Sequence, residues 1–164
     1  LSLLALLSAC QTLSAPAPKA VAELQATRNY SASGQVEFFQ QGADVIVQGR
    51  FTGLKPGAHG FHIHDKGDCS APDGMSAGGH FNPTKQTHGH PDHAVHHLGD
   101  MPLLEANAQG EASFRTQLSG VTLDQAETGI VGRSLVIHAD ADDFTSQPAG
   151  NSGARIACGV IKAR

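Results

Sequence analysis

The sequence is poor in aromatic side chains and in charge of either sign. It contains no tryptophan and one tyrosine among 164 residues, and its formal net charge is −4. This balance argues against a nucleic-acid partner, which needs a clustered basic face. No apolar run reaches the roughly 20 residues that a membrane-spanning helix requires. Glycine, by contrast, occurs 19 times, which favours one domain of short strands joined by many turns.

The N-terminal ten residues form a different kind of segment. The run LSLLALLSAC is short and apolar and ends in small residues and a cysteine, as the end of a secretory signal does. We therefore expect residues 1–10 to be part of a signal peptide and residues 11–18, rich in Ala, Pro and Ser, to be a tether. Residues 19–164 are expected to be the folded domain.

Cys10 suggests a second interpretation of this segment. The residues LSAC resemble a bacterial lipobox, whose cysteine becomes lipidated; an ordinary signal peptide cleaved nearby is the alternative. With a lipobox, the protein is exported to the periplasm and meets a membrane only through a lipid on Cys10. Gln11 stands where an Asp commonly retains lipoproteins at the inner membrane, which favours the outer membrane.

The two remaining cysteines can form a disulfide bond if the chain is exported. An oxidising compartment allows Cys69 and Cys158 to pair. The closed loop of about 90 residues would then stabilise the fold by roughly 4–5 kcal/mol according to the chain-entropy treatment. Two buried free thiols are the alternative.

Eight segments have the alternation and the flanking turn residues of β-strands. They are residues 20–26, 35–40, 44–52, 59–64, 103–106, 111–116, 134–138 and 157–161. Because no crossover helices separate them, they predict an all-β fold, an eight-stranded antiparallel Greek-key barrel or sandwich. Segments 65–99 and 139–154 remain as long irregular loops, and loops of such length are usually functional.

Several of the ten histidines lie where these elements would orient them. His62 and His64 are one residue apart, so their rings lie on the same face of a strand and can bind one ion. His138 ends a second predicted strand. His80 follows two glycines that permit close backbone approach, and His88, His97 and Asp100 lie on the next loop.

This set of side chains indicates metal binding. Imidazole suits zinc or copper, and nitrogen-rich flattened sites favour Cu(II). Three histidines and a carboxylate suit tetrahedral zinc. Seven residues suffice for two four-coordinate sites if one imidazole binds through both nitrogens, although the spacing alone does not reveal such a bridge.

Five motifs, in order along the chain, resemble those of the copper–zinc superoxide dismutases, in particular the bacterial exported type. They are HGFHIHDKGDC, SAGGHFNP, HHLGD, GRSLVIHADADD and GNSGARIACGVI. The resemblance extends from Lys19 to Arg164 and implies the sandwich fold of that family. It also implies an enzyme that converts superoxide to O₂ and H₂O₂ by cycling copper between Cu(II) and Cu(I), with Zn²⁺ orienting a bridging histidine.

The resemblance also implies a role for each candidate residue. The copper ligands would be His62, His64, His80 and His138, and the zinc ligands would be His80, His88, His97 and Asp100. Asp142 resembles the carboxylate that hydrogen-bonds one ligand of each metal. Arg155 resembles the arginine that positions the anion at the channel floor; an ordinary salt bridge is its alternative. His59 would make a structural backbone hydrogen bond.

Two of these assignments have close rivals in the sequence. His90 competes with His88, which fits the H-x-x-P pattern better, and His96 competes with His97, which precedes LGD. His90, His93 and His96 are then left over, either as part of a solvated loop or as a weak metal-capture patch.

Three further expectations depend on the same resemblance. The alternative function is a non-enzymatic copper/zinc-binding module of the same fold; a copper-only relative and a zinc hydrolase fit less well. Loop 139–154 contains no lysine, so electrostatic steering of superoxide would depend on Lys66 or Lys85. Both a monomer and a homodimer are consistent with the sequence.

Overall fold

The computed structural model describes residues 17–164, which form ten strands and one turn of 3₁₀ helix at Met75–Ala77. The strands are β1 Ala20–Ala26, β2 Ser33–Gln41, β3 Asp44–Thr52, β4 Gly57–His59, β5 Phe61–His64, β6 Leu104–Ala106, β7 Ala112–Leu118, β8 Ser134–His138, β9 Arg155–Val160 and β10 Lys162–Ala163. Cys10 and the predicted signal peptide lie outside the described residues. Within residues 17–164, no helix is long and apolar enough to span a membrane.

The all-β prediction is confirmed, and three strands have the predicted bounds: β1, β3 and β8. The predicted strand 59–64 is instead divided between β4 and β5 at Gly60. Its N–H donates to the carbonyl of Asp140 and its carbonyl accepts from His138, both at 2.8 Å, so the backbone changes partners there. The short exposed strand β10 was not predicted.

All the strand pairs are antiparallel, and most strands belong to one curled sheet with the order β5-β8-β9-β1-β2-β3-β7. Strand β10 adds to β1, and β4 pairs with β6 in a small second sheet. Strands β1 to β3 are consecutive hairpin strands, while β9 returns from far along the chain to lie beside β1. This is the Greek-key order of connections.

The core is built from alternate residues that face the inside of the curled sheet. Val36 and Phe38 on β2 are fully buried, as their alternation with Glu37 predicts. Phe61 is at the centre of an aromatic cluster, with its ring centroid 5.3 Å from that of Phe51 and 5.1 Å from that of Phe114, both edge to face. Phe61 and Ile63 thus fix β5 in the core, while the other face of β5 presents its histidines.

Candidate metal centre

Strand β5 presents two histidine rings on one face because its alternate residues, Phe61 and Ile63, are held in the core. His62 and His64 are both buried, and their ring centroids are 6.2 Å apart. Nδ1 of His64 lies 2.9 Å from the carbonyl oxygen of Gly78, which leaves its Nε2 free for another partner. Both rings lie on one face of the strand, as the one-residue spacing predicts.

His138 joins this pair from the neighbouring strand. Strand β8 pairs with β5, and its register with β9 shifts between Ile137 and His138, at the end of the strand. The shift is a local irregularity of the kind that re-aims a side chain. Nε2 of His138 lies 3.3 Å from Nε2 of His64, so the two atoms face a common point.

His80 belongs to this first group of histidines and also to a second group, described below. It forms a β-bridge with His64, and the N–H of Phe81 donates to the carbonyl of Ile63 at 2.8 Å. Its ring stacks on His62 with centroids 4.0 Å apart. The first group of metal-ligating atoms, all within 4.8 Å of one another, comes from His62, His64, His80 and His138.

Asp100 gathers the second group, which consists of His80, His88, His97 and Asp100. Its Oδ1 lies 2.8 Å from Nδ1 of His80, 3.0 Å from Nδ1 of His88 and 3.4 Å from Nδ1 of His97. Its Oδ2 accepts hydrogen bonds from the backbone N–H groups of Gly89 and His97. One oxygen therefore fixes the loop, and the other faces three ring nitrogens.

Four buried ring nitrogens have no hydrogen-bond partner among the described residues. They are Nδ1 of His62, Nε2 of His80, Nδ1 of His88 and Nδ1 of His97. Burying a polar atom without a partner is costly, and native structures rarely accept it without a reason. These unpartnered atoms belong to the two groups described above, so the donor sets fit two bound metal ions that share His80.

Asp142 contacts one histidine of each group. Its Oδ2 lies 2.6 Å from Nε2 of His62, and its Oδ1 lies 2.9 Å from Nε2 of His88. A carboxylate accepts only, so both Nε2 atoms carry hydrogen in this arrangement, and the Nδ1 atom of each ring is the one that faces its group. The carboxylate itself accepts from the N–H of Phe144.

Arg155 stands in the wall of an open cavity of about 900 Å³ that reaches His138. One of its guanidinium nitrogens donates to the carbonyl of Gly74 at 2.9 Å. Burial lowers the pKa of Arg155, which Asp73 partly offsets; a guanidinium nevertheless stays charged at neutral pH. The cavity thus provides a cationic approach to the first histidine group.

The chain is similar to proteins of a known family. The family described as copper/zinc superoxide dismutase (SODC) matches residues 32–161. The chain belongs to this family. The resemblance to the copper–zinc superoxide dismutases is thereby confirmed, and with it copper and zinc as the metals of the family.

Copper/zinc superoxide dismutases from two animals cover most of the chain. The extracellular Cu-Zn superoxide dismutase of Drosophila melanogaster is 44% identical over an alignment of 144 residues that covers 81% of this chain and 77% of that protein. The protein of the same description from Haemonchus contortus is 42% identical over an alignment of 135 residues that covers 78% of this chain and 72% of that protein. The crystal structure of the clock protein EA4 superposes with a TM-score of 0.80 at 37% identity, covering 92% of this chain and 98% of the other.

The two histidine groups of this superoxide dismutase differ in their electrostatics before metal binds. Burial lowers the pKa of His62, His64 and His138, because it disfavours the charged imidazolium. Burial also lowers the pKa of His80, to about 4, although Asp100 opposes it. These rings are therefore neutral near pH 7, the form that binds a metal.

His88 is the exception. Burial opposes its charge too, but the carboxylates of Asp100 and Asp142 outweigh burial and raise the pKa of His88 to about 9. Burial would likewise raise the pKa of Asp100, yet the histidines around it hold that pKa well below its usual range. The two carboxylates therefore favour the protonated form of His88 near pH 7 in the metal-free protein.

The two lysines expected to steer the anion lie outside the lining of the cavity at Arg155. Neither Lys66 nor Lys85 is among the residues that line the cavity, whereas Arg28 is. Arg28 was missed because nothing near it in the sequence marks a site.

His59 is buried, with one ring nitrogen 2.8 Å from the carbonyl of His138 and the other 2.8 Å from that of Lys55.

Two further contacts hold the loops in place. Cys69 and Cys158 form a disulfide bond that attaches the loop after β5 to β9. Gly150, also missed by sequence reasoning, has a left-handed backbone (φ 65°), and a Cβ at this position would overlap Oδ1 of Asp142 and lie 2.7 Å from Nε2 of His88. Only glycine fits there without moving the carboxylate.

Proposed function

We propose that the chain dismutates superoxide, with copper held by His62, His64, His80 and His138 and zinc held by His80, His88, His97 and Asp100. The observation that supports these assignments is the sharing of His80 by two buried ligand groups. When bound, copper supplies the one-electron exchange that converts two superoxide ions and two protons to O₂ and H₂O₂, while zinc fixes the ring of His80.

The ring of His80 has a different task at each nitrogen. Its Nδ1 faces Asp100 at 2.8 Å, and its Nε2, in the first group, has no hydrogen-bond partner among residues 17–164. A ring held at Nδ1 keeps the Nε2 atom in one position. Nε2 can therefore hold a proton beside the reacting anion and deliver it to the peroxide product.

Arg155 has the task of attracting and orienting the anion. Its guanidinium has several N–H donors in a fixed plane, and the carbonyl of Gly74 engages one nitrogen. The remaining donors are available to an anion in the cavity that reaches His138. A positive group fixed in advance needs no reorganisation when the anion arrives.

Stopped-flow measurement of superoxide decay tests the proposal. The copper- and zinc-loaded protein should accelerate decay catalytically, and His138→Ala should abolish the acceleration while the zinc content stays the same. A folded, fully loaded protein that leaves the decay unchanged would instead favour a non-enzymatic copper/zinc-binding module.

We propose further that the protein is exported to the periplasm and anchored by a lipid on Cys10, with residues 11–18 as a tether and residues 19–164 as the dismutase domain. The LSAC sequence and the disulfide bond between Cys69 and Cys158 support export to an oxidising compartment. Labelled fatty acid should be incorporated into the wild type and not into Cys10→Ser. Light scattering of the soluble domain would decide between a monomer and a homodimer.

A further inference from the structure

The loop between His88 and His97 carries a second set of metal-ligating side chains that the two buried groups do not use. We propose that His90, Asp92 and His93 form a surface site for a divalent transition-metal ion such as Zn²⁺ or Cu²⁺. This site is separate from the two buried sites and lies on the loop that holds two of the proposed zinc ligands.

A tight turn brings the two histidines together. The N–H of His93 donates to the carbonyl of His90 at 2.9 Å, which closes a four-residue turn with Pro91 in its second position. Proline presets the backbone for that position, and the third position suits Asp92. The ring centroids of His90 and His93 are consequently 5.3 Å apart.

The donor atoms are of the kind that Zn²⁺ and Cu²⁺ bind. Oδ2 of Asp92 lies 3.8 Å from Nδ1 of His90, so an imidazole and a carboxylate already face one another. The side chain of Asp92 is 85% exposed, and His93 is exposed as well. Exposed side chains change rotamer rapidly, so both can turn to an ion held by His90.

His90 is the fixed member of the site. The ring of Phe144, from the other long loop, lies edge-on at a centroid distance of 4.5 Å. The backbone N–H of Asp92 donates to Nδ1 of His90 at 3.2 Å, so this nitrogen carries a lone pair. A metal ion would replace this long hydrogen bond at an atom that is already positioned for it.

His96 provides a matched comparison on the same loop. Its Nδ1 lies 2.6 Å from the carbonyl of His97, so the ring has a structural contact of its own. His96→Gln removes an imidazole and keeps an amide donor for that carbonyl. The variant therefore controls for the loss of one surface histidine near the zinc ligands.

Calorimetric titration with Zn²⁺ tests the proposal on protein whose two buried sites have first been filled and assayed for metal content. The wild type should bind one additional Zn²⁺, and His96→Gln should do the same. His93→Gln and Asp92→Asn should weaken that binding by about tenfold or more, because each removes a ligand. Superoxide decay should be unchanged in both variants.

Proton NMR of the histidine rings identifies the residues directly. The added Zn²⁺ should shift the ring signals of His90 and His93 and leave those of His96 in place. The proposal is wrong if the loaded wild type binds no additional ion. It is equally wrong if His93→Gln binds as tightly as the wild type, or if His96→Gln loses as much affinity as His93→Gln.

Discussion

Asp142 holds His62 by a contact of 2.6 Å between Oδ2 and Nε2, and both side chains are almost completely excluded from solvent. The other oxygen of the same carboxylate holds His88 at 2.9 Å. One side chain thus orients a proposed copper ligand and a proposed zinc ligand together. The Nδ1 atom of each ring is thereby directed to its proposed metal position, where it offers a lone pair when the ring is neutral.

The first prediction follows from this double contact. Asp142→Asn keeps the shape of the side chain but replaces one acceptor oxygen with an NH₂ donor, which cannot accept from a ring N–H. We expect the affinity for at least one metal to fall by about 10- to 100-fold. Chelator competition, analysed separately for copper and zinc, measures the loss. Asp140→Asn removes the same charge from an exposed side chain and should leave both affinities unchanged.

Gly150 supplies the second prediction. In Gly150→Ala, the new methyl group would overlap Oδ1 of Asp142, so the carboxylate must move and zinc should be released more readily. Gly42→Ala is the matched control, because Gly42 has a similar φ of 61° and no atom of the described residues lies within 4 Å of a new Cβ. Both variants should lose roughly 1–2 kcal/mol of stability through backbone strain. Thermal unfolding should be measured with and without zinc. In Gly150→Ala alone, the stabilisation by zinc should also be smaller than in the wild type.

Part of the site was accessible from the sequence because three of the proposed ligands lie on strands. His62 and His64 share a face through strand alternation, and His138 ends a strand whose bounds were predicted correctly. The family motifs then indicated His80 as the shared residue, and His80 belongs to both groups of side chains that could hold a metal. Alternation is a local property, so a short stretch of sequence is enough to reveal it.

Contacts between distant loops could not be predicted in this way. Arg28 lines the cavity together with Arg155, more than a hundred positions later, because Thr27 on the same turn donates to the carbonyl of Arg155 at 2.7 Å. The division of β4 from β5 depends on Asp140, on another loop. Such pairings are set by the complete fold, and nothing in the neighbouring sequence marks them.

The third prediction concerns pH and zinc. The pKa of His88 in the metal-free protein is raised from 6.5 to about 9. The protonated ring therefore stabilises the metal-free fold fully below pH 6.5, and this contribution is lost as the pH rises through 9. Zinc binds only the neutral ring, so its binding releases a proton below pH 9.

The affinity for zinc should consequently increase by about tenfold per pH unit from pH 7 to pH 8.5, and level off near pH 9. Competition with a chelator whose own protonation is known measures this slope. Asp142→Asn removes one of the two carboxylates that raise the pKa of His88. The pKa of His88 should then be lower, and the zinc affinity should level off at a lower pH than in the wild type. An affinity that is constant from pH 7 to pH 9 in the wild type would contradict the assignment of the proton to His88.

The last prediction concerns the two arginines of the cavity. Arg155→Ala should lower kcat/KM for superoxide by roughly tenfold or more with both metals retained, because a cationic cleft raises the encounter rate of an anion by about 10- to 1,000-fold. Arg28 is exposed, so Arg28→Gln should have a smaller effect that salt suppresses. Arg50→Gln, on the outside of β3, has the same charge change and is the control. Equal losses in Arg28→Gln and Arg50→Gln would show that only the net charge matters and that Arg28 has no local role.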